Sequence, residues 1–502
     1  MNADDTKSPA GFSGAQERKI VLLLCCLAAV HVFIFSAAFP FFNNVDEIAQ
    51  FDLAVKYSQG HVPRRLELLS TDSTPYLALY SSGMYFGTPE MFPDGKFPTP
   101  PWKQPVEKIR QTLLANEAAW RTVTNYESSQ PPLYYALEGC WWRAGQWLGF
   151  ENGWRLYWLR FLNIFIVAAL VWLGCRAARL IFPENPFLRL AIPAVIAFFP
   201  QTAFYSIEND ALLPLCFGAA FICLLQFLRA EIPDARLAVA TGLALAAAFL
   251  TKMTSLPLLA VSAIFIALKI FQMAGEKKLR AALPALAALV FCAALPMACW
   301  MTWCKLHFGD FTGSAAKAGY FGWTHKPFAE WWPHPIFTLR GFSVFMPSLI
   351  ATFWQSEFLW HGRPLSLPAV DWVYIVLSVG GVGMALLKFP KMPRPQRRAL
   401  WLAFWSVAAS VAFVGFLSII FDFGDDHNPS RARPYFTAGR LILGALIPFL
   451  LLILYGLDCA LGRLKNSRAR PLALGVLILF MLLSEIAVDW PVFSNEYNWF
   501  HL

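Results

Sequence analysis

Charge is what this chain most conspicuously lacks. Only 15% of its 502 residues are Asp, Glu, Lys or Arg, whereas 57% are hydrophobic and the mean hydropathy is +0.48. No soluble fold needs that much apolar surface. A Walker loop and a GxGxxG fingerprint are also missing, which argues against a nucleotide-driven pump, because the glycine-rich phosphate cradle is not there. There is no internal repeat and no low-complexity tract. The ten cysteines do not amount to a disulfide framework: Cys25, Cys26, Cys216, Cys223 and Cys292 fall inside apolar runs and read as small hydrophobes. Cys140 and Cys304 lie where an oxidising compartment permits pairing, and the sequence leaves that pairing open.

What the chain has is a series of continuous apolar runs. A crossing needs about 20 apolar residues to cover roughly 30 Å of hydrocarbon, and only helices or closed barrels satisfy their backbone there. The runs do not alternate, so they predict helices, near 20–40, 157–181, 190–206, 211–228, 237–251, 255–271, 282–304, 371–387, 399–421, 440–460 and 471–488. The expected fold class is an all-α polytopic membrane protein with about eleven transmembrane helices. Its first run reads as an uncleaved anchor in preference to a signal peptide, since Ile20 to Pro40 is longer than a signal core.

Basic residues orient the chain. With the N-terminus 1–19 in the cytoplasm, the short inner segments hold 21 of the 41 Lys and Arg in only about 82 residues, as the positive-inside rule requires. The outer side then carries a large loop at 41–156, a second at 305–370, a shorter one at 422–439 and the C-terminus 489–502; crossings two to seven occupy 157–304 and eight to eleven occupy 371–488. Seven of the eight histidines lie in outer segments. The formal charge of +9 is accounted for by this bias and by anionic lipid headgroups, with no nucleic-acid partner.

The polar motifs sit on the outer side. Asn43-Asn44-Val45-Asp46-Glu47 opens an amphipathic helix whose apolar face is Ile48, Phe51, Ala54 and Val55. Asn44 and Glu47 have capping-box spacing. Asp46 falls in the first turn, where the helix dipole favours an ionised carboxylate able to accept a proton from a hydroxyl. Glu127 precedes Gln130-Pro131-Pro132-Leu133-Tyr134-Tyr135, which starts a second surface helix running to about Leu148; Glu138 and Arg143 argue that it lies on the membrane. A tight hairpin carries Glu208, Asn209 and Asp210, another leaves Lys252 among apolar neighbours, and Gly439-Arg440 enters a crossing. Cations at that depth are costly unless they snorkel or meet an anion, so Lys252, Arg440 and, near the second crossing, Arg160 are candidates for binding a phosphate.

Carboxylates facing membrane-level cations suit a substrate with a lipid tail, a phosphate and a polar group beyond it. The expected reaction has Asp46, or its neighbour Glu47, activating an acceptor hydroxyl while Lys252, Arg440 and Arg160 stabilise a departing polyprenyl phosphate, with inversion at the anomeric carbon. A lipid or glycan flippase and a non-catalytic envelope-assembly subunit are the alternatives. Transporters usually show internal repeats, however, and here the charges gather at the rim.

These motifs resemble the GT-C glycosyltransferase superfamily, which includes protein mannosyltransferases and lipid A aminoarabinose transferases, and within it most nearly an uncharacterised bacterial branch. The resemblance rests on Asp46-Glu47 after the first crossing, Gln130 to Tyr135, Asn209-Asp210, the Phe249-Leu250-Thr251-Lys252 hairpin and Gly439-Arg440. Leu441 stands where the branch has tyrosine. It implies a bacterial inner-membrane enzyme using a polyprenyl-phosphate-linked sugar donor and a periplasmic glycan, lipid or protein acceptor, with Asp46 at the catalytic position and Lys252 at the phosphate. Some relatives use a divalent cation; Glu127, Asp210 and His427 are the residues that acceptor or metal binding would draw on, without recognisable metal spacing.

Overall fold

The computed structural model describes residues 14–83, 87–424, 427–464, 466 and 468–501; the first 13 residues of the expected cytoplasmic N-terminus lie outside them. Among the described residues, nine helices are long and apolar enough to cross a bilayer: Gly14–Ala38, Asn152–Ile181, Asn209–Arg229, Met253–Gly275, Leu279–Phe308, Pro368–Lys391, Arg394–Ile420, Gly439–Leu461 and Ala469–Phe493. A tenth results if Phe328–Phe337 and Leu339–Gln355, which meet at 74°, form one broken span. Leu22, Val290, Phe291, Val376 and Leu479 point outward from these helices, each more than half exposed, and such surface is stable only against lipid.

By helix length and composition, the described residues therefore give nine or ten crossings where about eleven were expected. Two of the expected crossings are shorter helices, Pro186–Ala197 and Ala235–Thr251. Twelve residues rise only about 18 Å at 1.5 Å each. The first of these stops because Pro200 disfavours helical backbone in the residue before it, and the chain continues through a 3-10 turn, Thr202–Tyr205, to the helix beginning at Asn209. This connector is buried. The Gln201 amide donates to the carbonyl of Phe353 at 2.9 Å, which pins the connector to helix Leu339–Gln355, an apolar helix within the expected 305–370 loop.

The segment expected to form the first outer loop also differs in detail. Helix Glu47–Ser58 does not present a free polar face: besides Phe51, Ala54 and Val55, its polar residues Glu47, Gln50, Asp52 and Lys56 are buried. They are buried because each finds a partner. Asp52 accepts from Asn125 Nδ2 at 2.7 Å and from Ser73 Oγ at 2.6 Å, and it pairs with Lys56 at 3.0 Å. Strand Thr124–Asn125 pairs with Glu67–Leu68 beside it. The capping box does not form. Asn44 Oδ1 accepts from Val45 N, and the helix begins at Glu47 after Asp46, whose side chain caps nothing.

Helix Leu133–Trp147 packs on Glu47–Ser58 at Gly139, where a Cβ would come within 2.7 Å of Ser58 N. Arg143 is exposed as expected. Glu138 is fully buried, with the Tyr134 hydroxyl beside its carboxyl. Burial pushes its pKa up to about 8. Since the folded value exceeds the unfolded one, folding is progressively disfavoured as pH rises from the ordinary glutamate range to about 8, by up to about 1.4 kcal/mol per pH unit. Glu138→Gln is expected to remove that decline. Thermal unfolding in detergent at pH 5 and pH 8 checks it: the variant's advantage should appear at the higher pH, and equal advantage at both would contradict it.

Spans from distant parts of the chain form one core, with Leu24, Ala28, Val32 and Phe35 of the first helix packed among residues of the helices at Leu162–Ile181 and Leu446–Leu461. His31 Nε2 lies 2.7 Å from Glu485 Oε2, which ties the first span to the last. All ten cysteines are free thiols; Cys140 is exposed and Cys304 buried.

Candidate active site

Seven segments that are far apart in sequence converge beside the start of helix Glu47–Ser58. Asp46 occupies a left-handed backbone conformation, φ 63°, which Asp tolerates better than most residues. Its side chain, turned away from the helix it precedes, meets two partners. Tyr126 Oη donates to Asp46 Oδ1 at 2.9 Å, and Arg440 Nη2 donates to Oδ2 at 2.9 Å. Tyr126 is placed by the turn after strand Thr124–Asn125, whose Asn125 is bonded to helix Glu47–Ser58.

Arg440 enters on the 3-10 segment Gly439–Ala445. Gly439 makes this approach feasible: a Cβ there would lie 2.1 Å from Phe353 N, too close for any side chain. Gly439→Ala should separate the two backbones and carry Arg440 off Asp46, at a cost of about 1–3 kcal/mol in stability and with loss of whatever activity the cluster has. Thermal unfolding and an activity assay of the purified variant check both.

Arg440 then organises the remaining acids. Its Nη1 is 3.3 Å from Asp210 Oδ2 and 3.8 Å from Glu208 Oε2, and its Nε is 3.9 Å from Glu357 Oε1. Lys252, leaving helix Ala235–Thr251, reaches Asp210 Oδ2 at 2.6 Å. Two cations thus face four carboxylates. Glu357, Asp46 and Arg440 keep side-chain exposures of 28%, 18% and 14%, whereas Asp210 and Glu208 are at 0% and 1%, so an incoming molecule meets these three before the buried acids. Beside them Lys317 pairs with Glu127 and lies 5.1 Å over the Tyr126 ring.

The charges set protonation. Burial alone would raise the Asp46 pKa, but the Arg440 charge and hydrogen bond, aided by Lys317 and Lys252, hold its carboxyl well below the usual range. Burial pushes Glu208 well up despite Arg440, and Glu357 is raised for the same reason. Burial, with Asp46 and Glu127 nearby, keeps the Tyr126 hydroxyl protonated.

Three expected members of the site, Arg160, Glu47 and His427, are elsewhere. Arg160 and Glu47 form a bidentate pair, with Nε–Oε1 and Nη2–Oε2 both at 2.9 Å, and neither is more than 1% exposed. Arg160 is further used by the carbonyls of Ser36, Phe39 and Pro40, and Glu47 accepts from Phe42 N and Ile207 N. This pair joins the first span's end to the next helices and leaves no donor for a phosphate. His427 is exposed, and among the described residues no hydrogen bond or ion pair joins its side chain to the cluster. Glu127 is adjacent through Tyr126 and Lys317. No group of three or more His, Cys, Asp or Glu among the described residues is arranged to hold a metal ion.

Sequence reasoning missed Tyr126, Lys317, Glu357 and the part Glu208 takes. Tyr126 and Glu208 stand inside motifs already singled out, next to Glu127 and Asp210. Glu357 follows the apolar run 341–354, a signal that this acid sits at a helix end by the membrane; Lys317 among small residues gives none.

Residues 29–424 match the model of a family described as predicted membrane protein, DUF2142. The chain belongs to the DUF2142 family. No curated protein matches it in sequence. Among solved structures, this DUF2142 chain is similar to ArnT from Cupriavidus metallidurans bound to undecaprenyl phosphate, at 10% identity, covering 95% of this chain and 74% of that one with a TM-score of 0.48. It is also similar to the oligosaccharyltransferase of Archaeoglobus fulgidus in the apo form, at 12% identity, 97% and 57% coverage and a TM-score of 0.44.

Proposed function

We propose that this DUF2142 protein is an inverting membrane glycosyltransferase that moves a sugar from a polyprenyl-phosphate donor to an acceptor hydroxyl. The observation that carries the reading is the shared guanidinium of Arg440, which contacts Asp46 and Asp210 while Lys252 holds Asp210 from the other side. A base and two phosphate-sized cations therefore lie together at the end of the spans, where a lipid-borne phosphate would sit. The motif resemblance to GT-C enzymes supports it, and the Lys and Arg bias supports a periplasmic position for this face, with the protein in a bacterial inner membrane.

In the resting cluster both oxygens of Asp46 are occupied. A donor phosphate that takes Arg440 from Asp46 frees Oδ2 and removes the charge that depresses its pKa, so donor arrival prepares the base. Asp46 then accepts the acceptor's hydroxyl proton as the oxygen attacks the anomeric carbon. The carbon–phosphate-oxygen bond breaks, and Arg440 and Lys252 take up the charge that develops on the departing phosphate. Attack and departure on opposite faces invert the sugar, without a covalent enzyme intermediate.

Purified protein in sealed vesicles tests this against a transporter. Covalent appearance of sugar on an acceptor, together with free polyprenyl phosphate, is expected. Sugar or lipid crossing the bilayer with its phosphate linkage intact would overturn the reading.

A further inference from the structure

The charge balance of the cluster raises a difficulty for any anionic ligand. Asp46, Glu208, Asp210 and Glu357 surround Arg440 and Lys252, so a phosphate entering between the cations meets an excess of carboxylate. Asp210 Oδ1 and Glu357 Oε1 each lack a hydrogen-bond partner among the described residues, but Glu208 is the acid of the cluster for which this holds at both oxygens. The residue is 0% exposed, and both of its carboxyl oxygens are buried without a hydrogen-bond partner among the described residues. Oε2 is turned toward Arg440 Nη1, at 3.8 Å, beyond hydrogen-bond reach. An ionised carboxylate in that position would be a buried charge with no donor, the costliest state available to it, whereas the acid form carries a donor of its own.

We propose that Glu208 is neutral at rest and donates its O–H to the phosphate of the polyprenyl-phosphate donor, so that an anion can enter a ring of carboxylates. This rests on the glycosyltransferase reading above. The group is fixed at the entry of helix Asn209–Arg229. It is faced by Arg440 from the span Gly439–Leu461, by Asp210 on its own helix, by Lys252 and Asp46, and by Tyr134 from the outer helix Leu133–Trp147. Burial outweighs the two cations and pushes the carboxyl well up, in keeping with the neutral form. The other acids differ: Asp46 has two hydrogen-bonded oxygens, Asp210 has Lys252 at 2.6 Å, and the Glu357 side chain is 28% exposed. No proton is transferred, so a neutral amide at 208 can replace the acid.

The test is binding of farnesyl phosphate to the full-length protein in detergent, with farnesol as the headless control, in wild type, Glu208→Gln and Glu208→Ala between pH 6 and 9. Wild type should bind the phosphate more tightly than farnesol. Glu208→Gln should match wild type from the low end of this range, because the amide also carries a donor and the ligand's own titration is common to both. Glu208→Ala should be weaker by about tenfold or more at low pH, with farnesol binding unchanged as the sign of an intact fold. Selective phosphate binding that Glu208→Gln abolishes as fully as Glu208→Ala would overturn the role given to Glu208 alone. Farnesyl phosphate bound no better than farnesol by wild type would overturn it together with the glycosyltransferase reading.

Discussion

Asp46→Asn is expected to leave the protein folded and to lower sugar transfer by about 10²- to 10⁴-fold, the range a positioned general base supplies. The amide has nearly the shape of the carboxylate, and Tyr126 Oη can still donate to its oxygen. Arg440 loses a partner but keeps Asp210 at 3.3 Å, so the cluster persists and the defect falls on proton acceptance. Steady-state transfer by purified variant and wild type, at equal amounts of folded protein, gives the ratio. The same measurement separates the two acids adjacent in sequence: Glu47→Gln should lower the yield of folded protein and leave transfer per folded molecule near wild type. The reverse ranking would mean that Glu47 is the base.

The largest effect on stability is expected at Arg160. Removing one member of a buried ion pair leaves the other uncompensated, which costs about 3–5 kcal/mol. Arg160→Met should approach that figure, because Glu47 would remain at 0% exposure and the carbonyls of Phe39 and Pro40 would lose their donor. Replacing both members, as Glu47→Leu with Arg160→Met, should recover only part of the loss. Phe42 N and Ile207 N, which donate to Glu47 in the native protein, would then be orphaned. Thermal or denaturant unfolding in detergent reads the cost. An Arg160→Met protein with native stability and no transfer would assign Arg160 to the donor phosphate instead.

The contrast between these residues shows what was legible in the sequence. Membrane crossings announce themselves through uninterrupted apolar length, and the helices at Asn209–Arg229, Arg394–Ile420 and Ala469–Phe493 follow from that alone. Length alone overcounts, because it does not register where Pro200 ends a helix or that 198–208 is a buried connector. Lys252 and Arg440 stood out because a cation next to apolar residues is expensive wherever it points, and the structure brings both to Asp210. Arg160 stood out for the same reason, yet its anion is Glu47, 113 residues away; charge in an apolar setting signals a partner without saying which. Glu47–Ser58 was legible as a helix from its Ile48, Phe51 and Val55 spacing. That its polar side is buried too depends on Asn125, Ser70 and Ser73 arriving from elsewhere, which no local pattern records. Glu208, two residues before Asp210, was visible as an acid, but that no donor reaches it among the described residues is a property of the packed structure.

The central claim is that Asp46, Arg440 and Lys252 consume a polyprenyl-phosphate-linked sugar. Mass spectrometry of the lipid-linked sugars in cells that lack the chain tests it most directly. One polyprenyl-phosphate sugar should accumulate, wild-type protein should restore its turnover, and Asp46→Asn protein present at the same level should not. A lipid-linked sugar pool that is the same in all three would contradict the account, as would full restoration by Asp46→Asn.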